Sequence, residues 1–404
     1  MVAQCGMRQY RTDLPYRFHP PKPAAWFRPI GLWLNRRILR RTFRVTRLET
    51  EGWERVRERV DAGDAVLLAP NHADHADPHV LCKAANRAGL DLSFMAAREL
   101  FDGEGLKARA LQRMGVFSVD RDGPDVAAIR AAIGILKKGG SPLVIFPEGE
   151  IYHHHERLDP LHEGAAAILL RVARKLAGGR RALLVPVALR YRHDPSVPES
   201  FGERISAMED RIGWKPRPRM GTDKRMIRLG AGVLALKEIE YLGRPGEGTM
   251  AERVRGLAET LLDQVEKNHG SDPHASTTPD RVRAARYRIR RRLLSLENPP
   301  GESERVGLLE DLDRAFLALQ AHSYTVGYLL EKPTLDRRAE TLMRLEEDLL
   351  GHCRYPAPRT ARAVAGEPVD VGALLASGEI DAKKGAAKLT GMLEERLAEL
   401  IEKS

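Results

Sequence analysis

Three short apolar runs, Ala65–Pro70, Pro142–Pro147 and Ala182–Leu189, the first two closed by proline, are separated by stretches with helical periodicity. Apolar runs of this length, bounded by turn-forming residues, read as strands buried on both faces. A further strand-like piece, Phe94–Phe101, ends among charged residues, and Pro78–Gly89, Gly103–Met114, Asp125–Lys138 and Ala165–Lys175 supply helices between the strands. The helix beginning at Asp125 ends in Lys137, Lys138 and Gly139, the polarity that the helix dipole favours. Strands alternating with helices predict an α/β fold, a mainly parallel sheet flanked by helices. Ligands bind such sheets at the carboxyl ends of the strands.

The residues placed at those ends are chemically loaded. Directly after Pro70 stands Asn71-His72-Ala73-Asp74-His75-Ala76-Asp77-Pro78-His79. On a continuous helix His72 and Asp77 would point about 140° apart, so contact between them requires a loop running into a helix. Asp77-Pro78 supplies one, as an N-cap followed by proline at the first helical position. Asp77 would then accept from a helix amide with one oxygen and from the His72 ring with the other. A neutral imidazole held in this way keeps its outer nitrogen free to take a proton. Two other readings compete: an inert solvated loop, and a metal site built from His72, His75, Asp77 and His79. The second loaded strand end is Phe146-Pro147-Glu148-Gly149-Glu150, followed by His153, His154 and His155, which the sequence places on a solvated or substrate-facing loop.

Taken together, four ordered blocks resemble the phospholipid/glycerol acyltransferases, the family that includes the 1-acylglycerol-3-phosphate acyltransferases. They are Asn71–Asp77 (N-H-x4-D), Phe94–Phe101 (ending E-L-F), Phe146–Gly149 (F-P-E-G) and Val185–Val187 (V-P-V), and the resemblance spans roughly residues 50 to 195. It implies a transfer of a fatty acyl group from a thioester of coenzyme A or acyl carrier protein to the hydroxyl of a glycerol-phosphate or lysophospholipid, with no cofactor and no metal. His72 is then the general base and Asp77 its orienting partner, while Asn71, Arg98, Glu148, Gly149 and Arg157 bind substrate. Backbone amides near Gly149 are candidates for the oxyanion, and Arg98 for the cationic partner of Glu148. One departure matters. The family's third block continues T-R-S, whereas Glu150-Ile151-Tyr152 follows here. An acid at that place repels a phosphomonoester, and Arg98 and Arg157 are the cations left to hold phosphate. Tafazzin-like relatives that transfer acyl groups between phospholipids also vary this position.

The 404 residues, 43% of them hydrophobic, allow more than one domain, and the net charge of +10 points to an acidic partner. No aromatic stacking pattern interleaves with the basic residues, so lipid is expected rather than nucleic acid. Cys5, Cys82 and Cys353 stand far apart with no zinc or disulfide spacing, as in a reducing cytosol. No run of about 18 apolar residues occurs. The expected location is cytoplasmic, peripheral on the inner face of the membrane.

Residues 1–50 read as a basic amphipathic arm. Within them Trp26, Phe27, Ile30, Trp33, Leu34 and Ile38 would form one side of a helix and the surrounding arginines the other, as in a helix lying in a lipid interface. Residues 51–268 read as the acyltransferase domain, closed by an amphipathic helix over Ala251–Lys267, and 269–280 as a linker. Residues 281–404 read as a helical domain whose first helix is rich in arginine, with either solvated charges or a second membrane contact. A noncatalytic lipid-binding protein and a metal-dependent hydrolase are the alternatives to the enzyme.

Overall fold

The computed structural model describes residues 14–101, 105–273, 275, 277–324 and 327–404; Cys5 and the expected helix start at Gly103 lie outside the described residues. Two compact units are present.

The first unit opens with α1 (Arg28–Arg41), β1 (Val45–Glu51), α2 (Trp53–Asp61), β2 (Ala65–Pro70), α3 (Asp77–Arg87) and β3 (Ser93–Ala97). It continues through α4 (Leu106–Arg113), β4 (Val116–Val119), α5 (Val126–Lys138), β5 (Leu143–Val144), α6 (Gly164–Ala173) and β6 (Ala182–His193). The chain then leaves for the second unit and returns. That second unit holds α7 (Phe201–Arg211), α8 (Thr222–Leu242), α9 (Met250–His269), α10 (Thr278–Leu293), α11 (Glu302–His322), α12 (Tyr328–Glu331) and α13 (Leu335–Leu350). On its return the chain adds β7 (Arg359–Ala365), β8 (Val369–Asp370), α14 (Val371–Ala376) and α15 (Ala386–Lys403) to the first unit.

The eight strands form one sheet in the order β1-β7-β6-β2-β5-β3-β4, with β8 also on β6. Strands β2 to β6 run parallel, while β7 and β8 are antiparallel to β6 and β1 is parallel to β7. The result is the expected mostly parallel α/β sheet, made mixed by its last-synthesised strands. Pro186 sits inside central β6, where a missing N–H would ordinarily break the ladder. One edge of β6 changes partner at that point: β8 pairs with Leu183 and Leu184, β7 pairs from Val187 onward, and Gly366 N donates to Pro186 O between them (2.8 Å).

Alternation along the strands builds a core on each face. Val66 and Leu68 of β2, with Leu183, Val185, Val187 and Leu189 of β6, face Trp53 and Val56 of α2 and Val80, Leu81 and Ala84 of α3. Ala65, Leu67 and Ala69, with Leu184, face Ala128, Ala132 and Leu136 of α5, Leu169 and Val172 of α6, and Leu389 and Leu393 of α15. All six residues of β2 are buried, so its end is a fixed point from which to hang a site.

Four expected boundaries change. Residues 1–50 are not a separate arm, because from Phe18 onward they belong to the sheet unit and β1 pairs with β7. Helix α9 does not close the sheet unit; its Leu257, Leu261, Leu262 and Val265 pack with α10 and α11 in the core of the helical unit. Residues 281–404 are not one helical domain, since Tyr355–Ser404 completes the sheet. Residues 269–280, the expected linker, connect two helices within the helical unit. Among the described residues no helix is long and apolar enough to cross a membrane.

In the helical unit most of the arginines of α10 are paired with carboxylates rather than solvated. Arg281 reaches Glu259, Asp263 and Glu266 (2.7–2.8 Å), Arg286 and Arg290 hold Asp122, and Arg290 also holds Asp120 (2.7 Å). Acids on neighbouring segments therefore neutralise most of this helix, which removes the reason to read it as a second membrane contact.

Candidate active site

The site gathers at the carboxyl ends of β2 and β5. Just past β2, Asn71 extends the strand with its side chain: Oδ1 accepts from Leu189 N (2.7 Å) and Nδ2 donates to Leu189 O (3.1 Å). Both amide atoms are thus used to clamp β2 to β6.

The turn that follows folds back on itself. Asp77 is the first residue of α3 and fully buried, with Pro78 behind it. It does not cap its own helix as expected. Its Oδ2 accepts from His72 Nδ1 (2.9 Å) and from Asp74 N (2.9 Å), and its Oδ1 accepts from Tyr191 OH on β6 (2.5 Å). A carboxylate with these donors fixes the imidazole as the Nδ1–H tautomer, leaving Nε2 as the acceptor. The ring lies over Phe146, with centroids 3.9 Å apart and planes tilted 22°, so one strand end orients it while the next supplies its floor.

Glu148 ties the two strand ends together. It is buried, and its Oε1 accepts from His72 N (2.6 Å) and its Oε2 from Asp159 N (3.3 Å). Burial pushes this carboxyl up to about 8 despite the His72 backbone donor, and the nearby Asp159 charge adds to the rise. Glu148 is thus largely protonated at neutral pH. The predicted pairing with Arg98 is absent: Arg98 is buried at the start of a one-turn helix beyond β3, and the hydrogen bonds to Glu148 come from backbone amides.

Gly149 has φ +77°, and a Cβ there would meet the His162 ring at 3.1 Å, so glycine is required. Its amide donates to Phe146 O (3.2 Å) and closes the turn, which turns it away from the expected oxyanion role. Arg157 lies half-buried on the next loop, where its carbonyl contacts His154 Nδ1 (3.2 Å). His153, His154 and His155 are buried, so of the solvated and substrate-facing alternatives the solvated one does not hold, and His154 Nε2 contacts Asp159 (3.0 Å). The four proposed metal ligands do not act as a set. His79 donates from Nδ1 to Asn35 Oδ1 of α1 (2.5 Å), and burial lowers it to about 4, so it is a neutral structural tie.

Behind the pair stands a layer that the sequence did not announce. Arg359, the first residue of β7, holds Asp74 with both arms (2.7 and 2.8 Å). Burial alone would raise Asp74, but the Arg359 charge and hydrogen bonds outweigh it and hold the carboxyl well below the usual range. Asp74 in turn accepts from Ala76 N (2.8 Å), setting the turn that presents Asp77. The same guanidinium lies over Tyr191 and Tyr355, 4.4 and 4.3 Å from the ring centroids. The only sequence hint was Tyr191 itself, a hydroxyl on the inward-facing positions of an apolar strand.

Comparison with known proteins agrees with this geometry. Residues 47–190 match the family model described as Acyltransferase, which includes both strand ends. A 1-acyl-sn-glycerol-3-phosphate acyltransferase of Streptococcus pneumoniae is 29% identical over 109 residues, covering 27% of this chain and 38% of that protein's length. Over residues 47–190 the chain is thus similar to acyltransferases, and it spans little more than a third of the length of the curated relative it matches.

Proposed function

We propose that the protein is an O-acyltransferase that moves a fatty acyl group from an acyl thioester to the hydroxyl of a glycerol-phosphate or lysophospholipid. The observation that carries this is the His72–Asp77 pair, with Nδ1 committed to a buried carboxylate at the end of an entirely buried strand. In the proposed step, His72 Nε2 takes the acceptor's hydroxyl proton as its oxygen attacks the thioester carbonyl. Asp77 stabilises the imidazolium that forms. When the tetrahedral intermediate collapses, the C–S bond breaks and the thiolate of coenzyme A or acyl carrier protein recovers the proton from His72. No cofactor or metal takes part. Glu148 acts indirectly, holding the His72 backbone against the β5 turn.

Glu150, where the family carries threonine, disfavours a dianionic phosphomonoester. A lysophospholipid, whose phosphate is a diester, fits this end of the site better, either with a thioester donor or by transacylation from a second phospholipid. Substrates of both kinds reside in membranes, and we place the protein peripherally on the inner face, with exposed Trp26, Ile30, Trp33 and Leu34 as its apolar contact. Thiol release from long-chain acyl-CoA, compared across lysophosphatidic acid, lysophospholipids and glycerol-3-phosphate, tests the reaction. Acceptor-dependent release abolished by His72→Ala is expected. Release that survives the substitution sinks the mechanism, and none with any acceptor or with acyl carrier protein donors sinks the thioester reading.

A further inference from the structure

Helix α1 is not divided as its composition suggested. Its buried line is Gly31, Asn35 and Leu39, whereas Ile30, Trp33 and Leu34 share the exposed side with Arg36, Arg37, Arg40 and Arg41. The separation runs along the axis: the amino-terminal half of the exposed face is apolar and the carboxyl-terminal half is arginine. At that basic end the structure forms an open hollow of about 540 Å³ whose lining includes Trp33 and five arginines, 36, 37, 40, 41 and 44, and no acidic residue.

None of the five is paired with a carboxylate among the described residues, in contrast to the paired arginines of α10. Their field is felt nearby: after burial and Arg87, it is Arg40 and Arg36 that lower the affinity of Lys83 for its proton. Arg44 is held in the left-handed region at φ +55°, and its carbonyl accepts from Arg359 N (2.9 Å). The far wall of the hollow is thereby fixed to β7. Arg37 sits over the Trp33 ring, 5.7 Å from its centroid, so apolar and cationic halves meet at that ring. Clustered, unneutralised guanidiniums in a concavity are suited to phosphate oxygens, which they bind in forks.

Building on the interfacial placement of α1 above, we propose that this hollow is a headgroup site that seats the phosphate of an anionic phospholipid. Ile30, Trp33 and Leu34 enter the boundary between headgroups and acyl chains, while the arginine end stays at the level of the phosphates. The helix is thus inclined to the surface, apolar end deeper.

Vesicle flotation with the full chain tests this, using phosphatidylcholine with and without phosphatidylglycerol. The wild type should prefer the anionic vesicles, and Arg40→Gln/Arg41→Gln should weaken that binding about tenfold or more. Arg171→Gln/Arg174→Gln, an equal loss of charge at exposed positions in and just after the last turn of α6, should change it little. If both double variants lose affinity equally, general charge attraction replaces the site. If only Ile30→Ser/Leu34→Ser abolishes binding, the interfacial reading stands and the headgroup site falls. If the wild type binds no vesicle, both fall. Inorganic pyrophosphate in calorimetric titration completes the test: binding that the hollow variant loses, with vesicle binding unchanged, makes this a site for a soluble phosphate and overturns the lipid assignment.

Discussion

Among the histidine–aspartate contacts of the described residues, one in each unit can be set side by side. His72 meets Asp77 at 2.9 Å in the sheet unit, and His269 meets Asp311 at 2.8 Å in the helical unit. Even the histidines' exposures match, 14% and 15%. What differs is the surroundings. His72 binds its carboxylate through Nδ1 and presents Nε2 outward, whereas His269 binds through Nε2 and leaves only the nitrogen beside its own backbone. Asp77 is completed by a buried tyrosine and an amide, so its charge is left for the imidazolium. Asp311 is already met by Asn268 and Arg314 (3.0 and 2.6 Å). His269 is also the last residue of α9, so its place is set by that helix. The first pair has the geometry that the proposed proton transfer needs; the second is a clasp.

The sharpest break between the two is His72→Ala. It should lower acyl transfer by roughly 10³-fold with little change in melting temperature, and a similar loss from His269→Ala would erase the distinction.

Next comes pH. The Glu148 carboxyl that touches the first pair has its ordinary value of 4.5 when unfolded and about 8 when folded. Between those values the folded state holds the extra proton. Stability should therefore fall as pH rises through that window, by up to about 1.4 kcal/mol per unit, and level off above it. Denaturant titrations at several pH values should show this slope, and Glu148→Gln should remove it. The helical pair has the opposite sign. Burial would raise Asp311, but Asn268, Arg314 and His269 lower it, so its contribution is lost on acidification.

Tyr191→Phe should cost about 2 kcal/mol through a buried carboxylate missing one donor, read as a roughly thirtyfold fall in kcat with KM little changed and a shifted pH profile. An unchanged profile would reduce Tyr191 to packing. The smallest effect belongs to His269→Ala, about 1 kcal/mol of stability at full activity, measured by thermal melts beside the assay.

Local pattern carried much of this. The buried strand β2, the loop after it and the Phe146–Gly149 turn are each set by a few adjacent residues, so His72, Asp77 and Glu148 were legible. So was α5, down to its cap, where Asp125 accepts from Ala128 N (2.9 Å). What failed was non-local. Nothing near Arg359 indicates that it will reach Asp74, 285 positions away. The helix closed by Leu257, Leu261 and Val265 had the right periodicity but no label for its partner. The arginines of α1 and α10 look alike until acids from other segments are placed around one set. The histidine triplet looked polar because burial by neighbours is not written in three letters.

The return of the chain as β7 also sets an order of events in time. Between the end of β6 at His193 and the start of β7 at Arg359 the whole helical unit must be made. At ordinary synthesis rates that interval lasts roughly 8 to 35 seconds. Throughout it, β6 has no neighbour on one edge and the Asp74 carboxylate has no guanidinium. The nascent sheet is therefore exposed to edge-to-edge pairing, and the turn that presents His72 is set only after the helical unit has been made.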